Sequence, residues 1–301
     1  MRTVYLGTSQ FAAEVLRRLS DSAHRPALVV TPPDRPRGRG RHTQSPPAAE
    51  AARELGLELL QAEDVNAAEV LEHLRTARPE AIAVCAFGQI LREPLLSEWP
   101  LLNVHPSLLP RWRGAAPIER SIMAGDKRTG VSVMRVTAGL DSGPVALREE
   151  APIGPEDDFE ALSERLAELG GQMLVEALDL LAEGALDFEE QDDGEATYAE
   201  KIDSSERRLD PARSAAELAR SVRALTPHVG AYLETSDGER LGVRSARAVD
   251  VGVRKGEVRA EWGAMLLGCG QGALRLDVVQ PAGGKPMPAD AYLRGHPLPK
   301  L

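Results

Sequence analysis

The chain has 301 residues, of which 43% are hydrophobic and 4% aromatic, and its formal net charge is −10. That length can bury a substantial core and suits two domains, and no apolar run reaches membrane-spanning length. Two cysteines, Cys85 and Cys269, are too few for a disulfide scaffold, and Met1-Arg2-Thr3 leads straight into strand-like residues with no signal-peptide pattern, so a reduced cytoplasmic setting is expected.

Taken in chain order, the first half alternates strand and helix. Thr3–Leu6 is an apolar strand, and Gly7-Thr8-Ser9 turns into the helical stretch Phe11–Leu19. Gly7 stands without a full G-x-G-x-x-G, so the residues support a turn rather than a dinucleotide site. Strands follow at Ala27–Thr31 and Leu57–Leu60, with the helix Ala48–Leu55 between them. Residues 32–47, PPDRPRGRGRHTQSPP, read as a long irregular loop carrying Arg35, Arg37, Arg39 and Arg41. Such a loop is either solvated or a contact surface for a phosphate backbone. The helix Ala67–Thr76 and the strands Ala81–Ala86 and Leu101–His105 continue the pattern. It predicts an α/β fold with a mostly parallel, Rossmann-like sheet covered on both faces.

Beyond the sheet's apolar strands, Ala116–Ala124 is helical, and Val131–Val136 and Pro144–Pro152 are strands. Phe159–Leu181 is a long helical stretch expected to break near Gly170-Gly171. Asp203–Asp210 is charged and without apolar periodicity, which marks it as a linker. The helix Ala215–Leu225 then gives way to five short strands, Ala231–Thr235, Leu241–Val249, Glu257–Trp262, Ala264–Gly268 and Ala273–Val279. Five strands with Gly-rich turns predict a small β-barrel of the oligonucleotide-binding kind. The expected division is 1–203 for a catalytic domain, 204–210 for the linker and 211–301 for the barrel domain. Charge follows this division: residues 1–206 carry a net −15 and residues 207–301 a net +5. A basic tail domain on an acidic body favours local attraction of polyanions.

Polar chemistry concentrates in Asn103-Val104-His105-Pro106-Ser107-Leu108-Leu109-Pro110 and in Gly139-Leu140-Asp141-Ser142-Gly143. Alternation along a strand puts Asn103 and His105 on one face, at the carboxyl end of a parallel strand, where open α/β sheets bind ligands. Pro106 and Pro110 should stiffen the following loop and leave its backbone polar groups open to a ligand. An Asn amide can donate to an oxygen that gains negative charge, His exchanges protons near neutral pH, and a carboxylate can orient an imidazole. Taken singly, each residue has a plainer reading: a turn-capping Asn, a structural His, a turn Asp. Spacing alone does not bring Asp141 to His105. No Cys or His cluster has metal spacing, and Ser107 and Cys85 lie outside any nucleophile motif.

The run NVHPSLLPRWRGAAPIERSIMAGDKRTGVSVMRVTAGLDSGPV resembles the signature region of the 10-formyltetrahydrofolate-dependent formyltransferases. Leu6–Ala12, the PPDRPRGRGR loop, Ala86–Leu91, Thr197–Ile202 and Gln280–Lys285 resemble the branch of that family acting on methionyl initiator tRNA. The resemblance implies a Rossmann-like catalytic domain followed by an oligonucleotide-binding-type barrel. It implies catalytic roles for Asn103, His105 and Asp141. It also implies 10-formyltetrahydrofolate as formyl donor, held by Phe87, Gly88, Gln89, Ile90, Leu91 and by Ser107, Leu108, Leu109 and Pro110. Arg35, Arg37, Arg39 and Arg41 would engage the tRNA acceptor arm. The expected protein is a cytoplasmic monomer that needs no metal and no membrane. Formylation of a small amine such as a sugar nucleotide, or tRNA binding without catalysis, are the alternatives.

Overall fold

The computed structural model describes residues 1–37, 42–261 and 263–301. It divides into two compact units: Met1–Gly114 with Arg128–Pro152 and Ser163–Tyr198, and Ala115–Lys127 with Ile153–Leu162 and Ala199–Leu301.

The first unit is built on seven strands: β1 (Thr3–Gly7), β2 (Pro26–Thr31), β3 (Leu59–Gln61), β4 (Ala81–Cys85), β5 (Leu101–His105), β6 (Arg128–Arg135) and β7 (Val145–Pro152). They lie in the order β7-β6-β5-β4-β1-β2-β3. β1 pairs in parallel with β2 and β4, β2 with β3, and β4 with β5, while β6 pairs antiparallel with both β5 and β7. Every residue of β1 and β4 is buried, which explains why these strands read as unbroken apolar runs. The chain leaves β1 toward β2 on one side and pairs with β4 on the other. That reversal opens a crevice beyond the carboxyl ends of β1 and β4.

Helices Gln10–Ser20, Pro47–Glu54, Ala68–Ala77 and Phe159–Glu183 accompany this sheet. The last runs unbroken through Gly170-Gly171, against expectation. The two glycines serve close packing there. A Cβ on Gly170 would come within 2.7 Å of Val104 Cγ1, and one on Gly171 within 2.7 Å of Arg18 Cβ. Packing against β5 therefore requires Gly170 and packing against the helix Gln10–Ser20 requires Gly171, and the intact hydrogen-bond ladder outweighs their poor helix propensity. The arginine-rich segment also departs from an irregular loop. Arg35–Arg37 and His42–Gln44 form a short antiparallel ladder, with Pro36 opposite Thr43. A two-stranded ribbon tolerates the missing proline N–H because its outer side is unpaired.

In the second unit the strands are β8 (Ala231–Glu234), β9 (Arg240–Val249), β10 (Val258–Glu261), β11 (Ala264–Gly268), β12 (Ala273–Gln280) and β13 (Met287–Pro288). They form an antiparallel sheet in the order β8-β9-β12-β11-β10, with β13 on β12. The helix Ala215–Leu225 starts at a capping box: Glu217 N donates to Ser214 Oγ and Ser214 N donates to Glu217 Oε2. Its buried face, Leu218, Val222 and Leu225, joins Leu233, Val243, Leu267 and Leu276 in one core. The segment 204–210 is ordered, with a 3₁₀ turn at Ser204–Arg207 capped by Asp203, and Leu209 is buried with its N–H bonded to Tyr232 O at 2.9 Å.

Candidate active site

Asn103 and His105 share one face of β5, between Val84 of β4 and Met134 and Ser132 of β6. Asn103 is half-buried, and among the described residues its amide has no protein hydrogen-bond partner. A permanent donor left free at a strand end is available to a ligand. His105 is buried. Its Nε2 lies 2.9 Å from the carbonyl oxygen of Trp112. A carbonyl only accepts, so Nε2 carries the proton in the neutral ring and Nδ1 is the basic nitrogen.

Nδ1 faces Asp141, whose Oδ2 lies 3.7 Å away. That spacing is too long for a hydrogen bond but brings a carboxylate beside the atom that takes up a proton. The same Oδ2 accepts from Gly114 N at 2.8 Å. Asp141 sits at φ 46°, in the left-handed region that Asn and Asp tolerate best among residues with a side chain. Glycine follows two residues on because a Cβ on Gly143 would lie 2.0 Å from Arg135 O. The turn is strapped from outside by Gln191, whose Nε2 donates to Asp141 O at 2.9 Å and to Gly143 O at 2.6 Å. Gln191 Oε1 in turn accepts from Arg113 Nε at 3.0 Å, and Arg113 Nη1 meets Asp193 at 2.8 Å. Sequence reasoning passed over Gln191 and Arg113. The only signal was the proximity of Arg113 to the central motif.

Several candidate ligand-binding residues are committed to the protein itself. Ser107 is buried and its hydroxyl donates to Arg111 O at 2.6 Å. The expectation of a loop with free backbone groups is corrected here. The carbonyls of Ser107, Leu108, Leu109 and Pro110 accept from Ser132 Oγ, Arg111 N, Arg148 Nε and Thr197 N. Leu109 N donates to Ser132 Oγ. The loop is held by its neighbours, and each carbonyl keeps only its second lone pair for a ligand. Leu109 packs with Met134 and Val145 in a small cluster, and Leu108 covers Gly130.

The other segment lies beyond the end of β4. Phe87 is buried, its carbonyl accepting from Thr8 Oγ1 at 2.7 Å, and Gly88 takes φ +76°. Gln89 clamps the neighbouring loop, donating to Ala62 O at 3.0 Å and accepting from Val65 N at 2.8 Å. Leu91 packs on the core around Phe87, whereas Ile90 is 70% exposed, a large apolar side chain without cover at the crevice rim. Among the arginines, Arg35 is exposed and pairs with Glu63 at 3.0 Å. Arg37 lies in the short ladder, and Arg39 and Arg41 fall outside the described residues. Among the described residues no group of three or more His, Cys, Asp or Glu is placed to hold a metal ion, and no helix is long and apolar enough to cross a membrane.

Both thiols are buried. Burial pushes the Cys85 thiol up to about 12 and raises that of Cys269. Thiolate, the reactive form, is therefore suppressed at neutral pH. Neither cysteine should be carbamidomethylated by iodoacetamide at pH 8 in the native protein, and both should be modified in denaturant, as read by intact mass.

The Asn103 amide, the His105 imidazole and the Asp141 carboxylate thus lie at the carboxyl edge of a doubly wound sheet. Residues 1–178 match the formyl transferase family and residues 201–297 its C-terminal domain. The chain belongs to the formyl transferase family. It is 40% identical over 301 residues to the methionyl-tRNA formyltransferase of Methylobacillus flagellatus, covering 99% of this chain and 97% of that one. It is 43% identical over 302 residues to the methionyl-tRNA formyltransferase of Methylococcus capsulatus, covering 99% and 98%. Among solved structures, HypX from Aquifex aeolicus in complex with tetrahydrofolic acid aligns with a TM-score of 0.70 at 18% identity. That alignment covers 98% of this chain and 48% of HypX, so the chain spans about half of that protein, and the likeness bears on the fold alone.

Proposed function

We propose that this protein transfers the formyl group of 10-formyltetrahydrofolate to the α-amino group of methionyl initiator tRNA. The observation that carries the reading is the placing of His105 Nδ1 against Asp141 on the strand face that also presents the unpartnered Asn103 amide, in a chain about 40% identical over its whole length to enzymes of that name.

The folate, when bound, supplies the formyl group on a nitrogen that can leave. Asn103 donates to the formyl oxygen, which gains negative charge as the amine attacks. An α-amine has a pKa of about 8, so a usable fraction is already neutral at physiological pH. As the new C–N bond forms and the bond to the folate nitrogen breaks, one proton must move from the attacking nitrogen to the departing one. His105 accepts and returns that proton at Nδ1, and Asp141 stabilises the cationic ring between the two events. The folate ring fits beside Ile90 and the Phe87–Leu91 turn, with the Ser107–Pro110 loop as a preformed wall. Residues 1–203 carry this chemistry, 204–210 connect, and 211–301 bind the tRNA body. All three side chains come from one chain, so a monomer suffices, and its charged-tRNA substrate places it in the cytoplasm.

The deciding experiment supplies charged methionyl initiator tRNA and 10-formyltetrahydrofolate and follows formyl-methionine. Formylation of a sugar-nucleotide amine in place of the tRNA would overturn the reading. The arginine segment is tested in the same assay. Replacing Arg37, Arg39 and Arg41 with Ala should raise KM for tRNA at least tenfold. It should also flatten the salt dependence by about one unit of slope for every phosphate that is no longer neutralised, with KM for folate unchanged. Unaltered tRNA kinetics would mean that the segment is only solvated.

A further inference from the structure

Most arginines of the second unit are answered by carboxylates. Arg208 pairs with Glu234, Arg213 with Glu217, Arg259 with Glu261, Arg275 with Asp277 and Arg294 with Asp290. Others are not, and three of these surround one cavity of about 180 Å³ on the sheet: Arg207, Arg240 and Arg244, none of which has a carboxylate partner among the described residues. Three like charges around one space repel one another, and the arrangement is relieved only by an anion.

The cavity is shaped by backbone as well as by charge. Gly242 lies opposite Tyr232 on one side and Gln280 on the other. Having no side chain, it leaves the floor between them open, and a Cβ there would already touch Gln280 Cβ at 3.2 Å. Arg240 stacks its guanidinium 4.4 Å above the Tyr232 ring. Arg244 is oriented by Gln280 Oε1, which accepts from Nε at 2.9 Å and from Nη2 at 2.6 Å, leaving Nη1 to the cavity. Arg207 is fixed through Nε on Gly230 O at 3.0 Å, with its two terminal nitrogens unspent. Gly230, at φ +76°, has to be glycine on a second count, because a Cβ would lie 2.2 Å from Arg244 Nη1. Neutral acceptors therefore hold two of the guanidiniums and an aromatic face supports the third. Their charge remains uncancelled, as a phosphate seat requires.

We infer that Arg207, Arg240 and Arg244, over the Gly242 floor, form a seat for a phosphodiester of the RNA substrate. The inference rests on the tRNA reading above and locates one point at which the second unit would hold that substrate. A chain with net charge −10 gains little from general attraction to RNA, so binding must come from local seats of this kind. The guanidinium forks match phosphate oxygens bidentately and Tyr232 supports the outermost one, so the seat reads backbone rather than base.

The test uses the full chain with Arg240→Gln, Arg240→Lys and the Arg240→Gln/Arg244→Gln pair. Arg240 is exposed, so its replacement leaves the sheet intact, and an unchanged Tm checks this. With charged initiator tRNA, Arg240→Gln should raise KM several-fold and the pair about tenfold or more. The slope of log(kcat/KM) against log[salt] should become shallower by about one if a single phosphate leaves the seat. kcat at saturating tRNA and KM for folate should stay at the wild-type values, and Arg240→Lys should recover part of the loss. Wild-type tRNA kinetics and salt slope in the pair would overturn the seat. Inorganic phosphate is the second probe. Competition between phosphate and tRNA that disappears in the pair supports the seat. Phosphate binding in the wild type without any effect on tRNA KM would make this a small-anion site and overturn the RNA occupant. A wild-type enzyme that does not formylate methionyl-tRNA at all would instead sink the reading of function, a separate result.

Discussion

Asn103→Asp should lower kcat by about 10²–10³-fold while the folate still binds. The side chain stands on β5 with no protein hydrogen bond among the described residues, so the exchange breaks no internal hydrogen bond. Asp has nearly the same shape, but when ionised it only accepts hydrogen bonds. It would place negative charge where the formyl oxygen acquires its own, converting a stabilising donor into a repulsion. Asn103→Ala removes the donor without adding charge and should lose about 100-fold, less than the Asp variant. The order Asn, Ala, Asp in kcat, at constant Tm and with folate Kd within a few-fold of wild type, distinguishes an oxyanion role from a packing role. Turnover of Asn103→Asp within tenfold of wild type would remove the amide from the chemistry.

The parts of this molecule that announce themselves in sequence do so through period and composition. β1 and β4 are fully buried runs and could be read directly, as could the alternation that puts Asn103 and His105 on one face. What escaped was decided by packing between distant segments. Gly170-Gly171 reads locally as a break, yet the neighbouring Val104 and Arg18 need the space and the helix continues. The Arg35–Arg37 ladder has a proline at its centre that suggests a loop, and its partner strand is only three residues long. The helix Ala289–Gly295 is seven residues with two buried positions, too short to show a period. At the site, the loop after His105 was expected to offer backbone groups, but Ser132 Oγ and Arg148 reach it from other strands and take them. Gln191, 50 residues from Asp141, has no periodicity or motif to reveal that it straps the Asp141 turn.

The same strap lets the role of Asp141 be tested without disturbing its position. Asn is the substitution of choice, because it tolerates φ 46° and its amide oxygen can still accept from Gly114 N. Gln191 binds only backbone carbonyls of the turn, so those hydrogen bonds survive as well. Asp141→Asn therefore removes one thing, the negative charge 3.7 Å from His105 Nδ1. Without it the cationic ring loses its counter-charge inside a buried site, where an unpaired charge is costly. kcat should fall by ~10²–10⁴-fold, as for a base stripped of its orienting carboxylate, with Tm and folate affinity close to wild type. Asp141→Ala adds a structural injury. It leaves the half-buried Gly114 N–H without its acceptor and puts a side chain with no local hydrogen bond at positive φ, so it should also lose about 1–3 kcal/mol of stability. If Asp141→Asn turned over normally while Asp141→Ala failed, the carboxylate would be a turn residue alone, and the proton would have to travel between His105 and the substrate without its help.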